Sequence, residues 1–136
     1  MKRCKQEIIP ACYNLEVMYG NYNTVNDGVA QNKNKAFYYF DKGCKGGHGK
    51  ACFNVGLSYN NGLGVQQNYA KAINYYHLSI RQADYSKAFT SLGLMYEKGQ
   101  GVKKNISKAL DFYSKGCDRG NSISCSNRIK LNVRGY

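Results

Sequence analysis

Residues 51–76 of this chain recur at residues 88–113 with a constant offset of 37. Ala51, Gly56, Tyr59, Gly62-Leu63-Gly64-Val65, Asn68, Lys71-Ala72 and Tyr75-Tyr76 correspond to Ala88, Gly93, Tyr96, Gly99-Gln100-Gly101-Val102, Asn105, Lys108-Ala109 and Phe112-Tyr113. An earlier copy opens at Ala11-Cys12-Tyr13 and runs to Tyr19, crosses a longer loop closed by Gly28-Val29, and resumes from Asn32 to Phe40. A fourth begins at Cys117 and covers half a unit. A period of this size constrains the fold strongly: one unit cannot bury its apolar face alone, so neighbours must stack into an array. The expected units are 4–43, 44–79, 80–116 and 117–136, within one domain spanning 1–136.

Each half-unit has a helical apolar period. Ala51, Val55 and Tyr59 are spaced by four, and Ala72, Ile73 and Tyr76 form one stripe that Ala109, Leu110 and Tyr113 repeat. Asn32, Asn68 and Asn105 stand where an N-cap is needed, their side-chain oxygens able to accept from an orphan backbone N–H. The Gly-x-Gly-Val loops supply the positive φ of a tight reversal. Helices are expected over 9–20, 33–43, 49–60, 69–81, 85–98, 106–116 and 122–133. Gly56 and Gly93 fall inside helices, at a cost of about 1 kcal/mol each. The expected return is close approach of the partner helix, against Ala72 or Ala109. The remaining repeated aromatics, Tyr19, Tyr59, Tyr76, Tyr96 and Tyr113, read as core.

The six cysteines form three pairs with a common spacing: Cys4 and Cys12, Cys44 and Cys52, Cys117 and Cys125. On one continuous helix, eight residues would hold the two Cα atoms about 12 Å apart. A disulfide needs about 4.4–6.8 Å, so a bridge within a pair requires the chain to reverse. Lys45-Gly46-Gly47-His48-Gly49 and Asp118-Arg119-Gly120-Asn121-Ser122 carry turn chemistry suited to that reversal. Pro10 is tolerable in the first turn of the helix that follows Cys4. Reduced, buried thiols are the plainer alternative. Zinc fits poorly, because its knuckles use closer cysteines with histidine partners, and His48 and His77 are the only histidines. His48 reads as a turn residue and His77 as a helix-surface residue. In the third unit the two cysteine positions become Ile80 and Phe89, with one residue inserted between them. Positions that change together behave like two ends of one bond.

These residues resemble the Sel1-like repeat family, helical relatives of the tetratricopeptide repeats. The family pattern stands here as Ala88, Leu92-Gly93, Tyr96, Gly99-Gln100-Gly101-Val102, Lys108-Ala109 and Phe112-Tyr113. With cysteines at the unit junctions, the chain is most similar to the cysteine-rich secreted branch known from Helicobacter. The resemblance implies an all-α, right-handed solenoid of antiparallel helix pairs. It also implies the bridges Cys4–Cys12, Cys44–Cys52 and Cys117–Cys125, each tying one unit to the first helix of the next. The third junction, Ile80 to Phe89, is then expected to rely on packing alone and to open first. Glu16 in place of the helical glycine, the longer loop before Gly28 and the missing bridge depart from the pattern.

Members of that branch are often described as penicillin-binding proteins or beta-lactamases. A serine beta-lactamase needs Ser-x-x-Lys with Ser-Asp-Asn and Lys-Thr-Gly, and none of these occurs. Two histidines 29 positions apart make no metal cluster, and eight scattered acids offer no carboxylate dyad. No cofactor or metal is expected. Solenoids offer instead an extended concave face built from their first helices. By analogy with tetratricopeptide packing, that face would carry Tyr13, Val17, Lys50, Phe53, Leu57, Asn60, Lys87, Thr90 and Leu94, a mixed aromatic, aliphatic and lysine set suited to a peptide. The expected function is a disulfide-stabilised binding scaffold, with beta-lactam binding or weak hydrolysis as the alternative.

Twenty Lys and Arg against eight Asp and Glu give a net charge of +12. Lys98, Lys103, Lys104 and Lys108 gather around one loop. Nucleic acid is disfavoured, because no binding motif or arginine-rich stripe accompanies the charge; an acidic protein or peptide fits as well. No run reaches the ~18 apolar residues of a membrane span, and a monomer is expected. Bridged cysteines imply a secreted or periplasmic protein. Met-Lys-Arg-Cys-Lys-Gln-Glu carries no export signal, so the expectation is a removed leader. The alternatives are a truncated reading frame and a cytoplasmic protein with reduced thiols.

Overall fold

The structure, a computed structural model, describes residues 28–135. Among these residues there are six α-helices and no strand: α1 (Gly28–Lys45), α2 (Gly49–Asn61), α3 (Tyr69–Ala83), α4 (Ser86–Lys98), α5 (Ile106–Asp118) and α6 (Ser122–Val133). Each helix packs on its neighbours in sequence, most extensively within the pairs α2/α3 and α4/α5. The α3/α4 contact is the slightest of the five consecutive ones, and α4 also reaches α6. This is an all-α repeat array. The expected helix over 9–20, Cys4, Cys12, Tyr13, Val17 and Tyr19 lie outside the described residues. None of the described helices is long and apolar enough to cross a membrane.

The helix boundaries follow local chemistry. Asn68 and Asn105 cap α3 and α5, their side chains accepting from the backbone N–H of Lys71 and Lys108 at 3.0 Å. Asn121 caps α6 in the same way, accepting from Ser124 at 2.9 Å. Gly62 and Gly99 end α2 and α4 in the left-handed region, at φ 68° and 71°. The loops then close by backbone bonds, from Asn68 N–H to the Tyr59 carbonyl at 2.8 Å and from Asn105 N–H to that of Tyr96 at 2.9 Å. Asn32 does not cap. The helix begins at Gly28, so Asn32 lies inside α1. Gly28-Val29, expected to close a loop, instead forms its first turn.

The core lies between successive helices. Ala51, Val55, Ala72, Tyr76, Ala88, Leu92, Ala109 and Tyr113 are all essentially inaccessible. The helical glycines are explained by rings rather than by alanines. A Cβ on Gly56 would stand 2.6 Å from Tyr76 Cε1, with the nearest atom of Ala72, its carbonyl oxygen, further off at 3.3 Å. A Cβ on Gly93 would collide with the ring of Tyr113. Each glycine is therefore the socket for a tyrosine of the partner helix. Both phenols stay neutral in this setting. Burial pushes the Tyr76 hydroxyl up to about 12. Burial, followed by the adjacent Glu97, pushes Tyr113 higher still, and its hydroxyl donates to Glu97 Oε1 at 2.6 Å.

In an exposed helix Gly→Ala would stabilise by about 1 kcal/mol. Here Gly93→Ala should destabilise by about 1–3 kcal/mol through overpacking against Tyr113. Urea denaturation checks this, and a variant as stable as the parent would show that the ring can move aside.

Candidate functional site

Cys44 in the last turn of α1 and Cys52 in α2 are bridged, with an S–S distance of 2.08 Å and Cα atoms 4.5 Å apart. Cys117 and Cys125 are bridged across the α5/α6 junction, with Cα atoms 4.6 Å apart. Between each pair the chain reverses through a glycine at positive φ, Gly47 at 93° and Gly120 at 88°. His48 then caps α2, its Nδ1 accepting from Ala51 N–H at 3.4 Å. A bridge closing so short a loop contributes about 2.5 kcal/mol in the chain-entropy account.

The α3/α4 junction has no bridge, yet it does not depend on packing alone. Asp84 takes the left-handed position at φ 49°. Arg119, from the next junction, donates through Nε to both of its carboxylate oxygens at 2.8 Å. The same guanidinium lies 4.6 Å above the centre of the Phe89 ring. An ionic and cation–π clamp thus stands where the other junctions have sulfur. Both charged groups are substantially exposed, so the ion pair contributes under about 1 kcal/mol.

The residues expected on the first-helix face divide in two. Lys50 and Lys87 are exposed at equivalent positions of α2 and α4, and Leu57 and Leu94 are half-buried one face-repeat further on. Asn60 is half-buried and donates to Asn61. Phe53 and Thr90 are not on an open face. Phe53 is 8% exposed, with ring centroids 5.6 Å from Tyr76 and 5.1 Å from Tyr85. The Thr90 hydroxyl is bonded to Asn121 Oδ1 at 3.1 Å and to Ser124 Oγ. These equivalent positions point into the seam with the next unit, which covers them.

Tyr59 and Tyr96, expected in the core, pack against its edge and keep part of each ring open. Tyr59 stacks on Tyr75 at 5.7 Å and 17°, with Lys71 Nζ 5.3 Å over the Tyr59 ring. The next unit repeats this with Tyr96 on Phe112 at 5.6 Å and 20°, under Lys108 at 5.2 Å. Tyr59 and Tyr96 are only partly buried, unlike Tyr76 and Tyr113. The lysine that follows each Asn cap by three residues was the available signal. Tyr59, Lys71, Asn74, Tyr75, Leu78 and Arg81 line a groove of about 400 Å³.

His77 meets Phe112 edge-on at 6.0 Å. Burial holds both histidines below their usual range, reinforced at His77 by Arg81 and Lys108 and at His48 by Lys50. Among the described residues no three His, Cys, Asp or Glu side chains gather where they could hold a metal ion.

The Sel1 repeat family model matches residues 9–48, 49–84 and 90–121. The chain is similar to the crystal structure of a protective antigen present in uropathogenic Escherichia coli strains, displaying an SLR fold. The identity is 30% and the TM-score 0.82, over 96% of this chain and 27% of that one. A Sel1 repeat protein from Oxalobacter formigenes is 28% identical with a TM-score of 0.79, over 91% of this chain and 49% of that one. Helicobacter pylori cysteine rich protein B shares the fold at 24% identity and a TM-score of 0.64, over 90% of this chain and 96% of that one. The chain thus spans half or less of the first two. No curated protein sequence matches it.

A histidine whose folded pKa lies below its unfolded value near 6.5 binds its proton more readily when unfolded. The stability that His48 and His77 supply is complete above pH ~6.5 and is lost as pH falls through their folded values. The melting temperature should therefore fall between pH 7.5 and 5.5. His48→Asn keeps a capping oxygen without the titration, so its fall should be smaller; an equal fall would remove His48 from the account. Native-state amide exchange should be fastest at the α3/α4 junction and faster still in Asp84→Ala. Uniform protection across the three described junctions would contradict the clamp's role.

Proposed function

The chain belongs to the Sel1 repeat family, and from that premise we propose that it is a non-enzymatic scaffold, a single solenoid domain that binds a protein or peptide along its first-helix face. The observation that carries this reading is the repetition of one surface pattern in register. Lys50 and Lys87 are exposed, with Leu57 and Leu94 half-buried beside them, at the unit offset of 37. A periodic surface of cations beside apolar patches suits an extended acidic segment, which can meet successive units with one chemistry. Tyr13 and Val17 would extend the face into the preceding unit and Asn60 would border it.

The bridges at Cys44–Cys52 and Cys117–Cys125 support an oxidising, extracytoplasmic setting.

The test is selection of peptides from a random library on immobilised protein, followed by affinity measurement. Lys50→Glu with Lys87→Glu should weaken the selected acidic peptides about tenfold while leaving the melting temperature within a few degrees. Both side chains are exposed, so a loss of affinity would not report unfolding. Unchanged affinity would overturn the assignment of this face. A chromogenic beta-lactam is the second arm: turnover abolished by one Ser or Lys substitution would overturn the scaffold reading itself.

A further inference from the structure

We propose that the groove between α2 and α3 is a second recognition site, for an extended acidic peptide in which two carboxylates flank an apolar side chain. The inference goes beyond the first-helix face and uses none of its residues.

The groove is a built site in one unit and is cancelled in the next. Its cations are Lys71 and Arg81, both exposed and neither paired with a carboxylate among the described residues. Asp41 of α1 is near enough to raise the Tyr75 pKa, after burial, but its carboxylate is held by Lys45 at 2.9 Å. The net charge offered to a ligand is therefore positive. Between the cations lie the stacked Tyr59–Tyr75 pair, Leu78 and the amide of Asn74. The first three give an apolar floor, and the amide can pair with a peptide backbone.

Position by position, the next unit has Tyr96, Lys108, Asp111, Phe112, Lys115 and Asp118. The aromatic stack and its lysine survive, so that part is structural. The rest does not survive. Asp111 replaces Asn74 and Lys115 replaces Leu78, and the two join in an ion pair at 3.2 Å. Asp118 replaces Arg81 and reverses the charge at the far end. The positive, apolar-floored groove is therefore particular to the α2/α3 unit.

The geometry sets the ligand's spacing. Lys71 and Arg81 are ten residues apart on one helix, about 15 Å. An extended peptide covers that distance in about four to five residues. The recognised segment thus has two Asp or Glu residues at that separation, with an aliphatic or aromatic residue between them to lie on Leu78 and Tyr75.

The experiment uses a fluorescein-labelled peptide with glutamates about five positions apart and a central leucine. Anisotropy is measured with the full chain. Leu78→Lys with Arg81→Asp, which copies the next unit, should weaken binding at least about tenfold, and Lys71→Gln should weaken it less. Lys50→Glu with Lys87→Glu should leave it unchanged. A peptide with the same glutamates placed side by side should bind at least about tenfold more weakly. Melting temperatures verify that every variant is folded. Equal binding of both peptides, or equal competition by an oligonucleotide, would reduce the effect to bulk charge and overturn the site. Binding lost with Lys50→Glu/Lys87→Glu but kept with Leu78→Lys/Arg81→Asp would also overturn it, and would leave the first-helix face standing. No binding of either peptide by a folded chain would overturn the groove alone.

Discussion

The insertion of a tyrosine ring over a helical glycine sets the distance between the two helices of each unit, and the rest of the array inherits that distance. Tyr76 lies on Gly56 and Tyr113 on Gly93, in matching geometry. The glycine is costly to its own helix, by about 1 kcal/mol, and a buried aromatic side chain offsets that with several times as much apolar burial. Tyr113 also reaches beyond its pair. Its hydroxyl donates to Glu97, which in turn meets Arg134 at the end of α6 at 3.5 Å. One ring thereby joins α4, α5 and the segment after α6.

Packing within a unit leaves packing between units to be solved separately, and the described junctions use two solutions. Two are closed by sulfur. The third uses Asp84, Arg119 and Phe89, and places a non-glycine residue at positive φ where the others have glycine. The clamp reaches across a whole unit, from the α3/α4 turn to the α5/α6 turn. A disulfide instead acts within its own turn, chiefly by limiting the unfolded chain. The clamp therefore couples two junctions in the folded state, whereas each bridge strengthens only one.

Most of the architecture was legible because the sequence repeats, and a repeat lets one unit interpret another. The Asn caps at 68 and 105, the Gly-x-Gly reversals and the helix registers of the second and third units all follow from the offset. The start of α1 was not legible, because Gly28-Val29 matches the loop pairs Gly64-Val65 and Gly101-Val102 in sequence yet stands in a helix. Helical periodicity assigns a residue to a face but does not say what covers that face. Phe53 and Thr90 share a stripe with Lys50 and Leu57, yet the rotation from one unit to the next closes the seam over them. The same limit hid Tyr59 and Tyr96, which look like Tyr76 and Tyr113 in sequence but sit at the helix end, where solvent and a lysine share the ring. The clamp was invisible for a different reason: Arg119 and Asp84 are 35 positions apart, and no pattern within one unit links them.

Charge separates the structural demands from the functional ones. Of the five described acids, Asp41, Asp84, Glu97 and Asp111 each meet a lysine or arginine, and Asp118 is the fifth. Asp84 and Glu97 link separate elements of the array, whereas Asp41 and Asp111 pair within their own helices. The cations far outnumber the acids; Lys71 and Lys108 lie over aromatic rings, and others, such as Lys50, Lys87 and Arg81, stand exposed on the surface. Self-repulsion of that surplus works against a compact state, which makes the covalent junctions more valuable than in a neutral solenoid of the same length. A surplus kept despite its cost to stability acts outward, on whatever approaches. At physiological salt its reach is about 8 Å, so it cannot select a partner at a distance. It selects at contact, where lysine, arginine and a stacked aromatic pair are met together.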